Sequence, residues 1–198
     1  MPRAGACLLA ANHISHFDPP ILTAACARKI DFMTMREMFE QPLVRVWLWS
    51  VDAFPVDRFR ADRSAVRTTL ERLRLGRMVG IFPEGGLRDG ANSILNGAPM
   101  IPGLGALAQM SGAPIIPCAI VGSDRLYDPK CWRPFRRATV WIGFGDPLAP
   151  RGENKEARAE LDERFATQVR ALYRELQETF HLTADDLPQP PMRRKGRA

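Results

Sequence analysis

The chain alternates between short runs of apolar residues and longer segments in which apolar positions follow a helical repeat. A short, uninterrupted apolar run is typical of a buried strand. Five short runs follow this pattern, at residues 7–11, 54–58, 78–82, 113–120 and 138–144, and the second of them ends in the charged residues Asp57 and Arg58. A proline inside the fourth run predicts an edge strand or a bulge.

The helical repeat is clearest towards the carboxyl end, where residues 153–180 carry an apolar stripe on one face. The stripe consists of Leu161, Phe165, Val169, Leu172 and Leu176. Its spacing predicts a helix packed on the core. Shorter helical segments are predicted at 19–28, 61–75 and 103–111. Because strand-like and helical segments alternate, the pattern predicts an α/β fold.

Length and composition predict one domain followed by a basic tail. A chain of 198 residues with 45% hydrophobic residues can bury one sizeable core, which we assign to residues 1–187. Residues 188–198 are Pro-rich and then basic, which predicts disorder. The net charge is +6, and four cations belong to the tail: Arg193, Arg194, Lys195 and Arg197. A nucleic-acid-binding face is therefore not expected.

Cysteine usage and hydropathy bear on the compartment. Four cysteines are scattered without a Cys-x-x-Cys pair, which predicts reduced thiols and suits the cytosol. No apolar stretch reaches the ~18–20 residues needed to cross a bilayer. We therefore expect a cytoplasmic protein that associates peripherally with the inner face of the cell membrane.

Residues 12–18 read Asn-His-Ile-Ser-His-Phe-Asp and carry the strongest chemical signal. Neutral imidazole is a general base, because its unperturbed pKa is about 6.5. A carboxylate on its far nitrogen fixes the tautomer and stabilises the imidazolium. No Gly-x-Ser-x-Gly elbow is present, so the His13–Asp18 pair suits a reaction in which a substrate hydroxyl attacks. The alternative is an ordinary loop histidine near a helix cap formed by Asp18.

Four segments in order resemble the PlsC-like glycerolipid acyltransferases, the 1-acyl-sn-glycerol-3-phosphate acyltransferase family. That family's first block, Asn-His-x-Ser-x-x-Asp, matches residues 12–18. Its second block ends in an arginine, matched by Arg58. Its third block, Phe-Pro-Glu-Gly, matches residues 82–85, and its Ile-Pro strand matches residues 116–117.

The resemblance implies a central mixed, largely parallel sheet flanked by helices. It also implies transfer of a fatty acyl group from acyl-CoA or acyl carrier protein to a lysophospholipid hydroxyl, with 1-acyl-glycerol-3-phosphate as the default acceptor and no cofactor. His13 would remove the hydroxyl proton, and Asp18 would orient His13. Four residues would bind the acceptor: Arg58, Glu84, Gly85 and Arg88.

The third block departs from the family pattern, which usually continues Thr-Arg-Ser. Here residues 86–90 read Gly-Leu-Arg-Asp-Gly, so Arg88 stands one position further on. A lysine common before the later glycine is also absent from residues 100–103. These changes leave the roles of His13 and Asp18 intact and leave the acceptor open.

Two other functions stay open on the sequence. His13, His16 and Asp18 could be ligands of a metal-dependent hydrolase, because two histidines and a carboxylate can bind a metal. A non-catalytic lipid-binding protein could keep the same fold.

Two aromatic segments are further candidates for contacts. Residues 43–49 are rich in large apolar side chains, which predicts burial in the core, the wall of an acyl-chain tunnel or an interfacial helix. Residues 132–137 combine tryptophan with arginines. They predict a surface loop or a contact with lipid headgroups, a coenzyme A phosphate or an acyl carrier protein.

Overall fold

A six-stranded sheet forms the centre of the protein in the computed structural model, which describes residues 2–57, 62–133 and 137–195. The strands are β1 (Cys7–Ala11), β2 (Ile30–Met35), β3 (Phe54–Val56), β4 (Met78–Ile81), β5 (Ile115–Val121) and β6 (Trp141–Phe144). Their order across the sheet is β3-β2-β4-β1-β5-β6. All neighbours are parallel except β5 and β6. The predicted α/β fold with a mixed, largely parallel sheet is confirmed.

The central strands β1, β4 and β5 are buried along their whole length, as their continuous apolar runs predict. The apolar pattern does not predict β2, because Asp31 interrupts it. Asp31 is nevertheless fully buried, and its carboxylate pairs with Arg72 of the helix Arg63–Arg74 and with Arg77 of the turn that follows this helix.

The proline of β5 lies at a bulge and not at an edge, since β5 stands between β1 and β6. Cys118 pairs with Phe144, but Ile115 pairs with Leu148, so the register shifts by one residue across Pro117. A residue without an N–H is tolerated where the ladder is interrupted.

Six α-helices are present in the described part of the chain. They are α1 (Asp18–Ala25), α2 (Pro42–Ser50), α3 (Arg63–Arg74), α4 (Leu104–Ser111), α5 (Lys155–Thr179) and α6 (Pro191–Lys195). The stripe on α5 packs against the sheet as predicted. Leu161, Phe165 and Val169 are at most 2% exposed.

The segment at residues 43–49 is exposed, so the prediction of burial in the core is wrong. It forms most of α2, where Leu43, Val46, Trp47 and Trp49 are 86%, 63%, 47% and 60% exposed. Only the face of this helix that carries Leu48 is turned towards the protein. The dense apolar composition of the segment does not reveal which side chains are buried.

The predicted disorder of the tail is also wrong for residues 189–195. Residues Pro191–Lys195 form α6, and Arg194 is only 6% exposed because it pairs with the buried Asp124. The basic composition of the tail does not reveal that one of its arginines forms an ion pair with a buried carboxylate.

No helix within the described ranges is both long and apolar enough to cross a membrane. The cysteines are free thiols, and Cys7 and Cys118 are buried in the two central strands β1 and β5.

Candidate active site

The candidate site lies at the carboxyl ends of β4, β1 and β5, which are adjacent in the sheet. In open α/β sheets, ligands bind outside the carboxyl ends of the strands, where the strand order changes direction. The loop after β1 is residues 12–18, called here the His13 loop. The turn after β4 carries Glu84, and the short 3₁₀ helix Ser123–Tyr127 follows β5.

His13 and Asp18 form the predicted pair. His13 Nδ1 lies 2.8 Å from Asp18 Oδ2. Because a carboxylate only accepts hydrogen bonds, Nδ1 carries the proton and Nε2 keeps its lone pair. The His13 side chain is 16% exposed, and it lines a cavity. Nε2 can therefore act as a general base on a hydroxyl bound there.

The Asp18 carboxylate is fully buried and held by four donors. Besides His13, Oδ2 accepts from the backbone N–H groups of Ile14 and Ser15, both at 2.9 Å. Oδ1 accepts from Ser123 Oγ at 2.5 Å. The cap position of α1 is Phe17, so the alternative in which Asp18 merely caps the helix is wrong.

Glu84 supports the His13 loop from the neighbouring strand. Its Oε2 accepts from His13 N at 2.5 Å, while Oε1 accepts from Ser93 Oγ and Ile94 N at 2.8 and 2.7 Å. The side chain is 4% exposed. Burial raises the pKa of Glu84, and the hydrogen bonds that it accepts oppose this rise. Both oxygens accept from protein donors, which gives Glu84 a supporting role, and its predicted contact with the acceptor stays a prediction.

Asn12 ties the start of the His13 loop to β5. Its Nδ2 donates to Ile120 O at 3.0 Å, and its Oδ1 accepts from Ile120 N at 2.7 Å. Ser15 Oγ accepts from Phe17 N inside the loop. Both side chains are buried and neither lines the cavity, so their hydrogen bonds stabilise the loop.

The imidazole of His13 is also fixed by stacking. Its ring lies on Phe82 with centroids 4.1 Å apart and an interplanar angle of 18°. Phe82 in turn stacks on Phe32 at 5.8 Å. With one ring nitrogen bonded to Asp18 and one face covered, the imidazole has little freedom to rotate.

Gly85 lies at a position that a side chain would not tolerate. Its φ is +66°, in the region that favours glycine, and an added Cβ would lie 2.1 Å from Ile101 Cδ1. Gly85 and Ile101 both line the cavity beside His13. The glycine therefore keeps this wall open, as the prediction of an acceptor contact requires, although the contact itself stays a prediction.

The cavity has a volume of about 680 Å³ and is mainly apolar. This lies within the usual range of ~300–1,000 Å³ for ligand sites. Its walls come from β2, α2 and α4 as well as from the loops, and include Phe32, Met35, Trp47, Leu48 and Met110. A polar group at His13 beside such walls suits an amphiphilic ligand.

The other two predicted acceptor residues are Arg58 and Arg88. Arg58 lies outside the described residues, although Asp57 and Asp62 on either side of that gap line the cavity. The side chain of Arg88 is exposed, and its backbone N–H donates to His13 O at 2.7 Å. Arg88 therefore supports the loop through its backbone, and its predicted phosphate contact stays a prediction.

The candidate ligands of the alternative metal site form hydrogen bonds within the protein: His13 with Asp18, and His16 with Tyr127. His16 Nδ1 lies 2.5 Å from Tyr127 Oη, and burial lowers the pKa of His16. In the described part of the chain, no three His, Cys, Asp or Glu side chains are grouped as ligands for an ion. The geometry favours the general-base arrangement over a ligand set of His13, His16 and Asp18.

Ser93, Ser123 and Tyr127 are the supporting residues that sequence reasoning missed. Ser123 lies three positions after the predicted strand at 113–120, so a search for polar residues at strand ends could have found it. Ser93 precedes a short 3₁₀ helix and Tyr127 ends another, and the pattern of the sequence carries no comparable signal at either position.

Comparison with known proteins gives the class of the protein. A family model described as Acyltransferase matches residues 1–121. The chain therefore belongs to the acyltransferase family, which confirms the predicted family and enzyme class.

Individual relatives agree with this assignment. The chain is similar to the 1-acyl-sn-glycerol-3-phosphate acyltransferase of Bacillus subtilis, with 28% identity over 76% of this chain and 68% of the relative. It is similar to the protein of the same name from Streptococcus pneumoniae, with 26% identity over 92% of this chain and 65% of the relative.

A solved structure shares the fold. This is the 1-acyl-sn-glycerophosphate (LPA) acyltransferase PlsC from Thermotoga maritima, with a TM-score of 0.63 and 24% identity. The likeness covers 87% of this chain and 68% of that one. The chain thus spans about two thirds of the length of each of these proteins.

Proposed function

We propose that this acyltransferase moves a fatty acyl group from an acyl thioester to the free hydroxyl of 1-acyl-sn-glycerol-3-phosphate. The observation that carries the proposal is the fixed His13–Asp18 pair at the wall of a large apolar cavity. The names of the two curated relatives support the choice of acceptor. The thioester is a substrate, and no cofactor is required.

The chemistry follows from the hydrogen bonds of His13. Nε2 takes the proton of the acceptor hydroxyl while that oxygen attacks the thioester carbonyl. The imidazolium is stabilised by the Asp18 carboxylate. When the tetrahedral intermediate collapses, the carbon–sulfur bond breaks and His13 returns the proton to the leaving thiolate. General-base assistance of this kind contributes about 10²–10⁴-fold.

The acceptor phosphate needs a cation, and we assign that role to Arg58, with Arg88 as a second candidate. A guanidinium suits phosphate because its donors are arranged as a fork. If Arg58 binds the phosphate, Arg58→Ala will raise the KM of the acceptor and leave that of the donor. A rise in the donor KM alone would instead put Arg58 on the thioester side.

Product analysis tests the proposal directly. The full chain is incubated with acyl-CoA or acyl carrier protein and a panel of lysophospholipids, and the products are identified by mass spectrometry. We expect a diacyl product from 1-acyl-sn-glycerol-3-phosphate. Formation of free fatty acid alone would indicate a hydrolase. If no thioester is turned over, the result would favour the alternative of a non-catalytic lipid-binding protein.

Two histidine variants test the mechanism within the same assay. His13→Ala should abolish transfer with an unchanged circular dichroism spectrum, since a loop imidazole contributes little packing. His16→Ala is the matched control, because it removes an imidazole from the same loop. Near-normal turnover in His13→Ala would refute the mechanism, and equal losses in both variants would favour a metal site.

Peripheral contact with the inner face of the cell membrane is part of the proposal, because the acceptor and product are amphiphiles. The contact surface is the α2 patch, defined as Leu43, Val46, Trp47 and Trp49. Its exposed apolar area lies beside Arg45, whose guanidinium stands 5.3 Å from the Trp49 ring. Tryptophan and cations together suit the interface of an anionic bilayer.

Vesicle flotation tests this contact. Binding to anionic vesicles should weaken as salt rises, and it should weaken again in the double variant Leu43→Ser/Trp49→Ser. Neither residue lines the cavity. Leu75→Ser is the control, because Leu75 is 62% exposed and lies beyond the end of α3. A full chain that ignores anionic vesicles at low salt would refute the membrane contact.

A further inference from the structure

We propose that the C-terminal helix α6 is a strap that holds the Asp18 carboxylate in place, acting through Arg194, Asp124 and Ser123. The inference rests on the proposed function only in that Asp18 serves His13. It adds three positioning residues, all of which lie far along the chain from the His13 loop.

The outer end of the strap is a buried ion pair. Arg194 Nε donates to Asp124 Oδ2 at 2.6 Å, and Arg194 also donates to the carbonyl oxygens of Asp185 and Leu187 at 3.0 and 3.2 Å. Arg194 is 6% exposed and Asp124 is fully buried, whereas the neighbouring cations Arg193 and Lys195 are exposed. Removing one partner of a buried pair leaves an uncompensated charge, so this contact holds α6 firmly.

At the inner end of the strap, the residue next to Asp124 contacts the candidate site directly. Ser123 precedes Asp124 in the 3₁₀ helix Ser123–Tyr127, and its hydroxyl donates to Asp18 Oδ1. Gly122 fixes the turn that leads into this helix. Its φ is +90°, and an added Cβ would lie 2.6 Å from Thr139 O. A shift of Asp124 is therefore transmitted to Ser123.

Within the described residues, Ser123 supplies the one hydrogen bond to the Asp18 carboxylate that comes from outside the His13 loop. The other donors, His13, Ile14 and Ser15, belong to the same loop as Asp18 and move with it. Asn12 and Glu84 link the start of the loop to the neighbouring strands, and the Ser123 contact adds a link at the Asp18 carboxylate itself. The Arg194–Asp124 pair in turn holds Ser123 in place. Arg194 does not line the cavity, so the strap should affect turnover and not substrate binding.

The first experiment compares Arg194→Ala with Arg193→Ala. Both variants remove one cation from the same helix, so any general effect of tail charge is equal in the two. Hydrogen exchange of the Ile14 and Ser15 amides, which donate to Asp18, reports on the loop without any substrate. We expect Arg194→Ala to speed this exchange by about tenfold. Arg193→Ala should leave it unchanged.

Steady-state kinetics give a second reading on the same proteins. Misplacing a catalytic group by about 1 Å can cost about 10²-fold, so we expect Arg194→Ala to lower kcat at least about tenfold more than Arg193→Ala does. The KM of the thioester should stay within about twofold, because uniform binding is not touched. Arg194→Lys keeps the charge without the fork and should recover part of kcat.

The second experiment tests the chain of contacts. Ser123→Ala removes one hydroxyl and no charge, so it should fold normally and lower kcat in the same way. If the residues act in series, Ser123→Ala/Arg194→Ala will be no slower than the worse single variant. Ser111→Ala is the matched control, since that hydroxyl bonds only at the carboxyl end of α4, where it donates to Leu107 O and Ala108 O and accepts from Ala113 N, and lines no part of the cavity.

Equal exchange of Ile14 and Ser15 in Arg193→Ala and Arg194→Ala would overturn the inference. A normal kcat in Ser123→Ala would also overturn the inference, and this result can be obtained even if Arg194→Ala unfolds globally. If the wild-type chain transfers no acyl group, the proposed function fails. The exchange data would still decide whether α6 holds the loop.

Discussion

Replacing Glu84 with glutamine removes one acceptor from beneath the His13 loop while keeping the size of the side chain. The glutamine oxygen can take the place of Oε1, where it still accepts from Ser93 Oγ and Ile94 N. Its NH₂ group then faces His13 N, so two donors meet where a hydrogen bond of 2.5 Å stood.

The structure sets the size of the effect. A hydrogen bond to a charged group contributes about 1.5–3 kcal/mol, so we expect the free energy of unfolding to fall by about 2 kcal/mol at pH 7. For a chain of this length, that lowers Tm by about 4–8 °C. Displacement of His13 should lower kcat by about 10–100-fold and leave the acceptor KM unchanged.

The pH dependence gives the prediction a sign. Burial raises the pKa of Glu84 above its usual 4.5, so the folded chain binds this proton more tightly than the unfolded chain. Wild-type stability therefore gains from this proton at low pH and loses that gain as pH rises from 4.5 through the raised pKa. Glutamine cannot titrate, so its stability deficit should be largest at low pH.

Thermal unfolding at several pH values and steady-state kinetics measure these effects. Glu71→Gln is the control, because Glu71 is exposed on α3 and should change neither Tm nor kcat. If Glu84→Gln raised the acceptor KM while kcat and Tm stayed normal, Glu84 would contact the acceptor. The supporting role derived from the structure would then be wrong.

Three further substitutions have defined outcomes. Gly85→Ala should lower the free energy of unfolding by about 1–3 kcal/mol and distort the cavity wall at Ile101. Gly90→Ala is the control, because Gly90 has a positive φ but no atom close to the added Cβ, so a denaturant titration should show a smaller loss. Asp18→Asn should lower kcat by about 10²-fold or more, because an amide can favour the wrong tautomer of the imidazole, and a near-normal rate would contradict this role. The pKa of Asp52 is lowered to about 2, chiefly by a lysine and an arginine that donate to it. Asp52→Asn should therefore destabilise the chain at pH 7, and the deficit should vanish in acid unfolding as pH falls through about 2.

The sequence by itself determined the local features of this protein. His13 and Asp18 are five residues apart on one loop, so a short chain segment brings their side chains together without help from the rest of the fold. The α5 stripe and the apolar runs of β1, β4 and β5 were equally clear, because periodicity and continuous burial are written into neighbouring residues.

Tertiary structure alone decided which distant groups complete the site. Glu84 and Ser123 are 71 and 105 residues from their partners in the His13 loop, and they meet it only because β4 and β5 flank β1. Tertiary structure also decides that α2 is exposed and that Arg194 is buried. A local pattern shows which side chains are apolar or charged, but strand order and helix packing decide what covers them.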